Sequence, residues 1–170
     1  YKIYTVSATK KKQIIMDGGT VNLVSQYTIY DAPQSDILII PGTSPEIVRT
    51  ISKDKNMMDW IVKQNEKSQI TMSVCTGGLI LANTGLLDGH SATTHHWSLD
   101  ELRSHKKIKV KQEARFIADG KFLTGAGVTS GIDTALEAVE LIQGKDFADE
   151  IAQGMVYDRY NDMEFLLTKK

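Results

Sequence analysis

The chain has 170 residues, a length that suits one domain with a single core. Hydrophobic residues make up 41% and charged residues 24%; 20 Lys and Arg against 21 Asp and Glu leave a net charge of −1. That balance excludes the basic excess of a nucleic-acid or membrane-surface protein, and a single cysteine excludes an internal disulfide. One cysteine also speaks against a structural zinc site, so no metal and no cofactor is expected, and a cytoplasmic setting is.

Taken in chain order, the pattern alternates between short apolar runs and helical periodicity, as βαβ architecture requires. Residues 1–7 read as a strand. Residues 13–16 and 21–24, joined by Asp17-Gly18-Gly19-Thr20, read as a hairpin. Residues 36–40 form a buried strand, whose run Ile37-Leu38-Ile39-Ile40 is far too short to span a bilayer. Pro41-Gly42-Thr43 ends it, Ser44 is placed to cap a helix, and Pro45 suits the first helical position. A second helix over 56–66 puts Met57, Trp60 and Ile61 on one face.

Residues 69–74 are the next strand and 76–84 the next helix; a short strand follows at 91–94. Ser98-Leu99-Asp100-Glu101 reads as a capping box that starts a helix near Leu99. Segments 115–118 and 121–123 form a hairpin around Asp119-Gly120. Ser130-Gly131-Ile132-Asp133 opens a helix to about 143, and a last helix covers 146–156, before a frayed tail at 166–170.

Ligands of open α/β sheets bind beyond the carboxyl ends of the strands. Four segments leave strands there: Pro41-Gly42-Thr43, Cys75-Thr76, His95-His96 and Gly125-Ala126-Gly127. Ser73-Val74-Cys75-Thr76-Gly77 has the small-x-nucleophile-x-Gly form of a nucleophile elbow. A sulfur there sits at a helix N-terminus, which favours the thiolate; a lone cysteine that merely fills space is the bland alternative. His95 or His96 could take or return a proton. The amides of Gly42, Thr43 and Thr76 could face a developing negative charge, although Pro-Gly is also an ordinary turn. Gly125 and Gly127 are either pocket wall or plain turn, and His90 and His105 read as surface residues.

These residues resemble the ThiJ/PfpI superfamily of class I glutamine amidotransferase-like proteins. The match runs through Asp-Ile-Leu-Ile-Ile-Pro-Gly at 36–42, Cys-Thr-Gly-Gly-Leu-Ile-Leu-Ala at 75–82 and Gly-Leu-Leu-Asp-Gly at 85–89. It continues in Ala-Thr-Thr-His at 92–95 and Leu-Thr-Gly-Ala-Gly-Val-Thr-Ser-Gly-Ile-Asp at 123–133. The branch it resembles most holds isonitrile hydratase and the amidase-like domains of AraC-type regulators. The resemblance implies a flavodoxin-like three-layer α/β sandwich with a central, mostly parallel sheet, in one domain over 1–170. It implies a small-molecule substrate, a homodimer, Cys75 as nucleophile, His95 as a proton carrier and Thr76 as orienter of an acid. Glyoxalase-like or amidase-like chemistry, and a ligand- or redox-sensing domain without turnover, are the alternatives.

Three departures are visible. Thr76 stands where protease-like members carry His, and Pro-Gly-Thr replaces the usual Pro-Gly-Gly. The superfamily also opens with a strand and helix whose acidic residue bonds the cysteine; these are expected upstream of Tyr1.

Overall fold

The computed structural model describes residues 1–15 and 21–159. Met16, the Asp17-Gly18-Gly19-Thr20 turn and the 166–170 tail lie outside the described residues. Of the strand expected over 1–7, only β1 (Val6–Ser7) forms. The Thr5 N–H goes to the Gln26 side chain (2.7 Å), and Tyr1 and Ile3 stand exposed. β2 (Gln13–Ile15) and β3 (Asn22–Val24) pair antiparallel with Ile14 opposite Leu23, the expected hairpin. β4 (Tyr27–Thr28) pairs in parallel with β1 and was not marked by any periodicity. Asp31 ends it by accepting the Thr28 N–H (2.6 Å) and the Thr28 hydroxyl (2.7 Å).

β5 (Ile37–Ile40) then enters the main sheet. In α1 (Pro45–Ile51), Ser44 Oγ accepts the Ile47 N–H, and Pro45 begins the helix without wasting a donor. α2 (Lys55–Lys67) starts on the Asp54 carboxylate, which accepts the Asn56 N–H at 2.9 Å. β6 (Ile70–Val74) and α3 (Gly77–Asn83) follow, then β7 (Ser91–Ala92), α4 (Leu99–Ser104) and β8 (Lys109–Val110), which pairs with β7. β9 (Phe116–Asp119), β10 (Phe122–Gly125), α5 (Ser130–Gln143) and α6 (Lys145–Gly154) complete the order.

The four-stranded sheet runs β5-β6-β10-β9, with only β9 antiparallel. Side chains alternate across it. Leu38, Ile40 and Phe122 join Val48, Ile61, Leu79, Leu81 and Leu102 in the core under α1 to α4. Ile70, Met72 and Leu123 point to the other face and pack against Ala138 of α5. The architecture is therefore the expected flavodoxin-like α/β sandwich, with helices on both faces of a mostly parallel sheet. No helix among the described residues is long and apolar enough to cross a membrane.

Two expected helix starts differ in detail. A 3-10 turn over His96–Ser98 runs straight into α4, so Ser98 is not at a free helix end and its side chain makes no cap bond. Ser130 is already inside α5, where its Oγ accepts the Gly127 N–H (3.2 Å), and Asp133 bonds Arg115 rather than backbone.

Gly77 is where α3 meets the sheet. A Cβ on it would lie 2.3 Å from the Ile40 carbonyl oxygen and 2.8 Å from that of Pro41, both backbone. Gly77→Ala must push α3 off the end of β5, and the expected loss is about 1–3 kcal/mol in urea unfolding. Separately, the Thr28 hydroxyl and amide hold the Asp31 carboxyl down to about 2. This exposed group is expected to titrate near that value by NMR. Its contribution to stability is present above the ordinary carboxylate range and is lost as pH falls through about 2.

Candidate active site

Cys75 sits between the end of β6 and the start of α3 with φ 56°, in the left-handed region. For a residue with a Cβ this costs about 1–2 kcal/mol. The surroundings hold it there. Cys75 N–H donates to the Gly125 carbonyl (2.9 Å). Its own carbonyl accepts from the Thr94 hydroxyl (2.8 Å) and the Gly78 N–H (3.2 Å). Gly42 crosses so closely that a Cβ there would lie 2.8 Å from Cys75 Cβ. The loops carrying Gly42, Cys75, Thr94-His95 and Gly125 therefore meet at one point, and Cys75 itself is half-buried.

Thr43 corrects an expectation. The Thr43 N–H donates to Thr76 Oγ1 (2.8 Å), and the Thr76 hydroxyl donates to the Thr43 carbonyl (2.6 Å). The Thr43 amide is thus occupied, while Thr76 Oγ1 keeps one acceptor lone pair. The pair locks the loop after β5 onto the start of α3. Among the described residues, the amides of Gly42 and Thr76 have no hydrogen-bond partner.

His95 follows Thr94 directly and is half-buried, whereas His96 is exposed. The Trp97 N–H donates to His95 Nδ1 (3.4 Å), which leaves the proton of the neutral ring on Nε2. Burial, and then the neighbouring His96, push the His95 pKa below its ordinary value. A neutral ring with Nδ1 engaged presents an N–H donor at Nε2, the proton-returning half of the role expected of it. His90 is not a plain surface residue either: its Nδ1 lies 3.1 Å from Asp119, and its ring meets Phe122 edge-on.

The two loop glycines divide. Gly125 is buried, and a Cβ on it would lie 2.5 Å from Thr134 Oγ1, so it is a wall of the Cys75 turn. Gly127 has no such close neighbour and is fixed through Ser130. Behind this loop, Arg115 donates to the buried Asp133 carboxylate through Nε (2.9 Å) and Nη2 (2.6 Å), while the Tyr157 hydroxyl donates to its other oxygen (2.7 Å). The Arg115 carbonyl also holds the Ala126 N–H (2.8 Å). Sequence reading missed Thr94 and this triangle. The paired Thr before His95 was the available signal for Thr94; nothing local marks Arg115 as a partner of Asp133. No group of three His, Cys, Asp or Glu among the described residues could hold a metal ion.

A cysteine pinned left-handed between a parallel strand and a helix, inside an α/β sandwich, defines a recognisable class. The chain belongs to the DJ-1/PfpI family, whose sequence model matches residues 1–141. It is 36% identical over 130 residues to isonitrile hydratase of Pseudomonas putida, covering 76% of this chain and 55% of that protein. It is 28% identical to the HTH-type transcriptional regulator CdhR of Pseudomonas aeruginosa, covering 94% of this chain and 46% of the regulator. The chain thus spans about half the length of these curated relatives. A crystal structure of a ThiJ/PfpI family protein from Pseudomonas syringae superposes with a TM-score of 0.80 at 30% identity, covering 92% of this chain and 63% of that one.

Three outcomes are expected. Thr94→Val removes the hydroxyl that holds the Cys75 carbonyl and lowers unfolding stability by about 1 kcal/mol. In Gly42→Ala the added methyl meets Cys75 Cβ, so alkylation by iodoacetamide slows while circular dichroism stays native. An NMR titration is expected to place His95 below its ordinary value, because burial and the neighbouring His96 disfavour the charged ring.

Proposed function

We propose that the protein is a cysteine-dependent enzyme that adds water to a small isonitrile and releases an N-substituted formamide. The observation that carries this reading is Cys75, held at φ 56° in a chain 36% identical to an isonitrile hydratase. The turn is read as a nucleophile elbow. The Cys75 thiolate attacks the terminal carbon of R–N≡C. A C–S bond forms, and an acid protonates the carbon to give a thioimidate, R–N=CH–S. Water then adds to that carbon while the nitrogen takes a proton. The C–S bond breaks, the thiolate leaves, the hydroxyl proton returns to the acid, and R–NH–CHO is released. Atoms balance without an oxidant or reductant, and covalent catalysis divides one hard addition into two easier ones.

The free amides of Gly42 and Thr76 and the Nε2–H of His95 are the donors for charge that develops on the substrate. The acid is assigned to a carboxylate on an added strand beside β5. What supports that assignment is the edge of β5. Among the described residues β5 pairs only with β6, and Ile39 is 54% exposed in the middle of an apolar strand. The β1–β4 pair forms a separate sheet, so a strand between them would join the two.

The reading includes a cytoplasmic homodimer. Its support is the β2–β3 hairpin, which exposes Ile15, Leu23 and Val24 and has little reason to do so in a monomer. A second reading, a sensing domain without turnover, is favoured by the match to CdhR, which covers 94% of this chain.

The test is turnover of methyl isonitrile, with the formamide identified by mass spectrometry. The wild-type protein is expected to produce it, and Cys75→Ala to fall to the uncatalysed rate. Equal inertness of both proteins toward isonitriles, glyoxals and amides would remove the enzyme readings and leave the sensor.

A further inference from the structure

Cys75 is fastened through its own peptide groups to two loops. Its N–H is held by Gly125 and its carbonyl by Thr94. Each loop presents a large apolar side chain to solvent three residues beyond its anchor: Trp97 is 85% exposed and Val128 is 79% exposed. Three residues of chain reach at most about 11 Å, so both side chains are rooted close to the cysteine turn.

Neither is a loose ornament. The Trp97 ring meets the His95 ring edge-on (centroids 5.0 Å apart, planes at 70°) and lies 5.1 Å from the His96 ring. Val128 sits between Gly127, held by Ser130, and the start of α5. An indole fixed in orientation yet uncovered is a surface waiting for an apolar group.

The shape of the substrate says which group. Addition of the thiolate bends the linear R–N≡C at carbon and nitrogen, and with R anti to the sulfur the N-substituent is carried away from Cys75. The inner side of the turn is closed by Gly42 and by the Thr43–Thr76 lock. R can only emerge outward, past the rim. We infer that Trp97 and Val128 form the subsite for an apolar, ring-bearing N-substituent, and that Trp97 sets the preference for aromatic over small alkyl substrates. This rests on the hydration reading for the chemistry, but the subsite can be tested without it.

The experiment compares kcat/KM for benzyl and methyl isonitrile. In Trp97→Ala the benzyl-to-methyl ratio is expected to fall about tenfold, through KM, as stacking worth roughly 1.4 kcal/mol is lost. Trp97→Phe is expected to restore most of it, and Val128→Ala to lower the ratio less. An unchanged ratio in Trp97→Ala overturns the subsite. If the wild-type protein turns over neither isonitrile, the hydration reading fails and binding decides the subsite alone. The chain has two tryptophans, so Trp60→Phe leaves Trp97 as the lone fluorophore. Adding N-benzylformamide is then expected to shift its emission to the blue, with an affinity that calorimetry finds about tenfold weaker in Trp97→Ala. An emission that is already blue and does not move, as a second copy covering the ring would give, overturns the proposal.

Discussion

Everything at this site depends on one backbone conformation: a cysteine with a Cβ forced to φ 56°. The penalty is about 1–2 kcal/mol, and it is offset on both sides of the residue by hydrogen bonds to other loops. Gly125 holds the amide and Thr94 the carbonyl. Strain kept in place by distant partners is a recurring property of functional turns. Here the partners come from segments about 20 and 50 residues further along the chain, so the conformation exists only when the sheet is assembled.

The sheet supplies that assembly. β10 lies beside β6 in parallel register, Gly125 opposite Val74, which puts its last carbonyl next to the Cys75 amide. β5 flanks β6 on the other side and delivers Gly42 across the sulfur-bearing residue. Small residues at the contacts make this possible. Gly42, Gly77 and Gly125 each lie where a side chain would meet another part of the site within 3 Å. The Thr43–Thr76 pair then closes the loop onto α3 with two reciprocal hydrogen bonds.

Much of this was legible in the sequence, and the reasons are physical. The apolar run at 37–40 and the segment at 69–74 belong to strands of the main sheet, whose pattern survives any loop detail. The Ser44-Pro45 start of α1 needs only local chemistry. The convergence on Cys75 followed from the topology of parallel strands. What stayed hidden is what depends on long-range partners. The Thr43 amide looked free because its acceptor, Thr76 Oγ1, lies 33 residues away. Which His95 nitrogen carries the proton was not legible, because nothing in the sequence shows that Trp97 N–H occupies Nδ1. Ser130-Gly131-Ile132-Asp133 read as the opening of a helix, while Asp133 serves as the carboxylate partner of Arg115 and Tyr157. β1 shrank to two residues because Gln26 takes the Thr5 amide and the ladder stops there.

The cores on the two faces are continuous around β6 and β10, whereas among the described residues β5 pairs on one side only and Ile39 is half uncovered. The acid that the proposed hydration requires is assigned to that edge. Cys75 is the only cysteine in the sequence, so a covalent intermediate can have only one sulfur attachment. Intact-mass spectrometry after rapid mixing with methyl isonitrile and borohydride quenching therefore tests the central claim most directly. The account predicts a single adduct carrying the methyl isonitrile carbon and nitrogen, absent in Cys75→Ala. Formamide production without any trapped adduct, or an adduct that persists in Cys75→Ala, would contradict it.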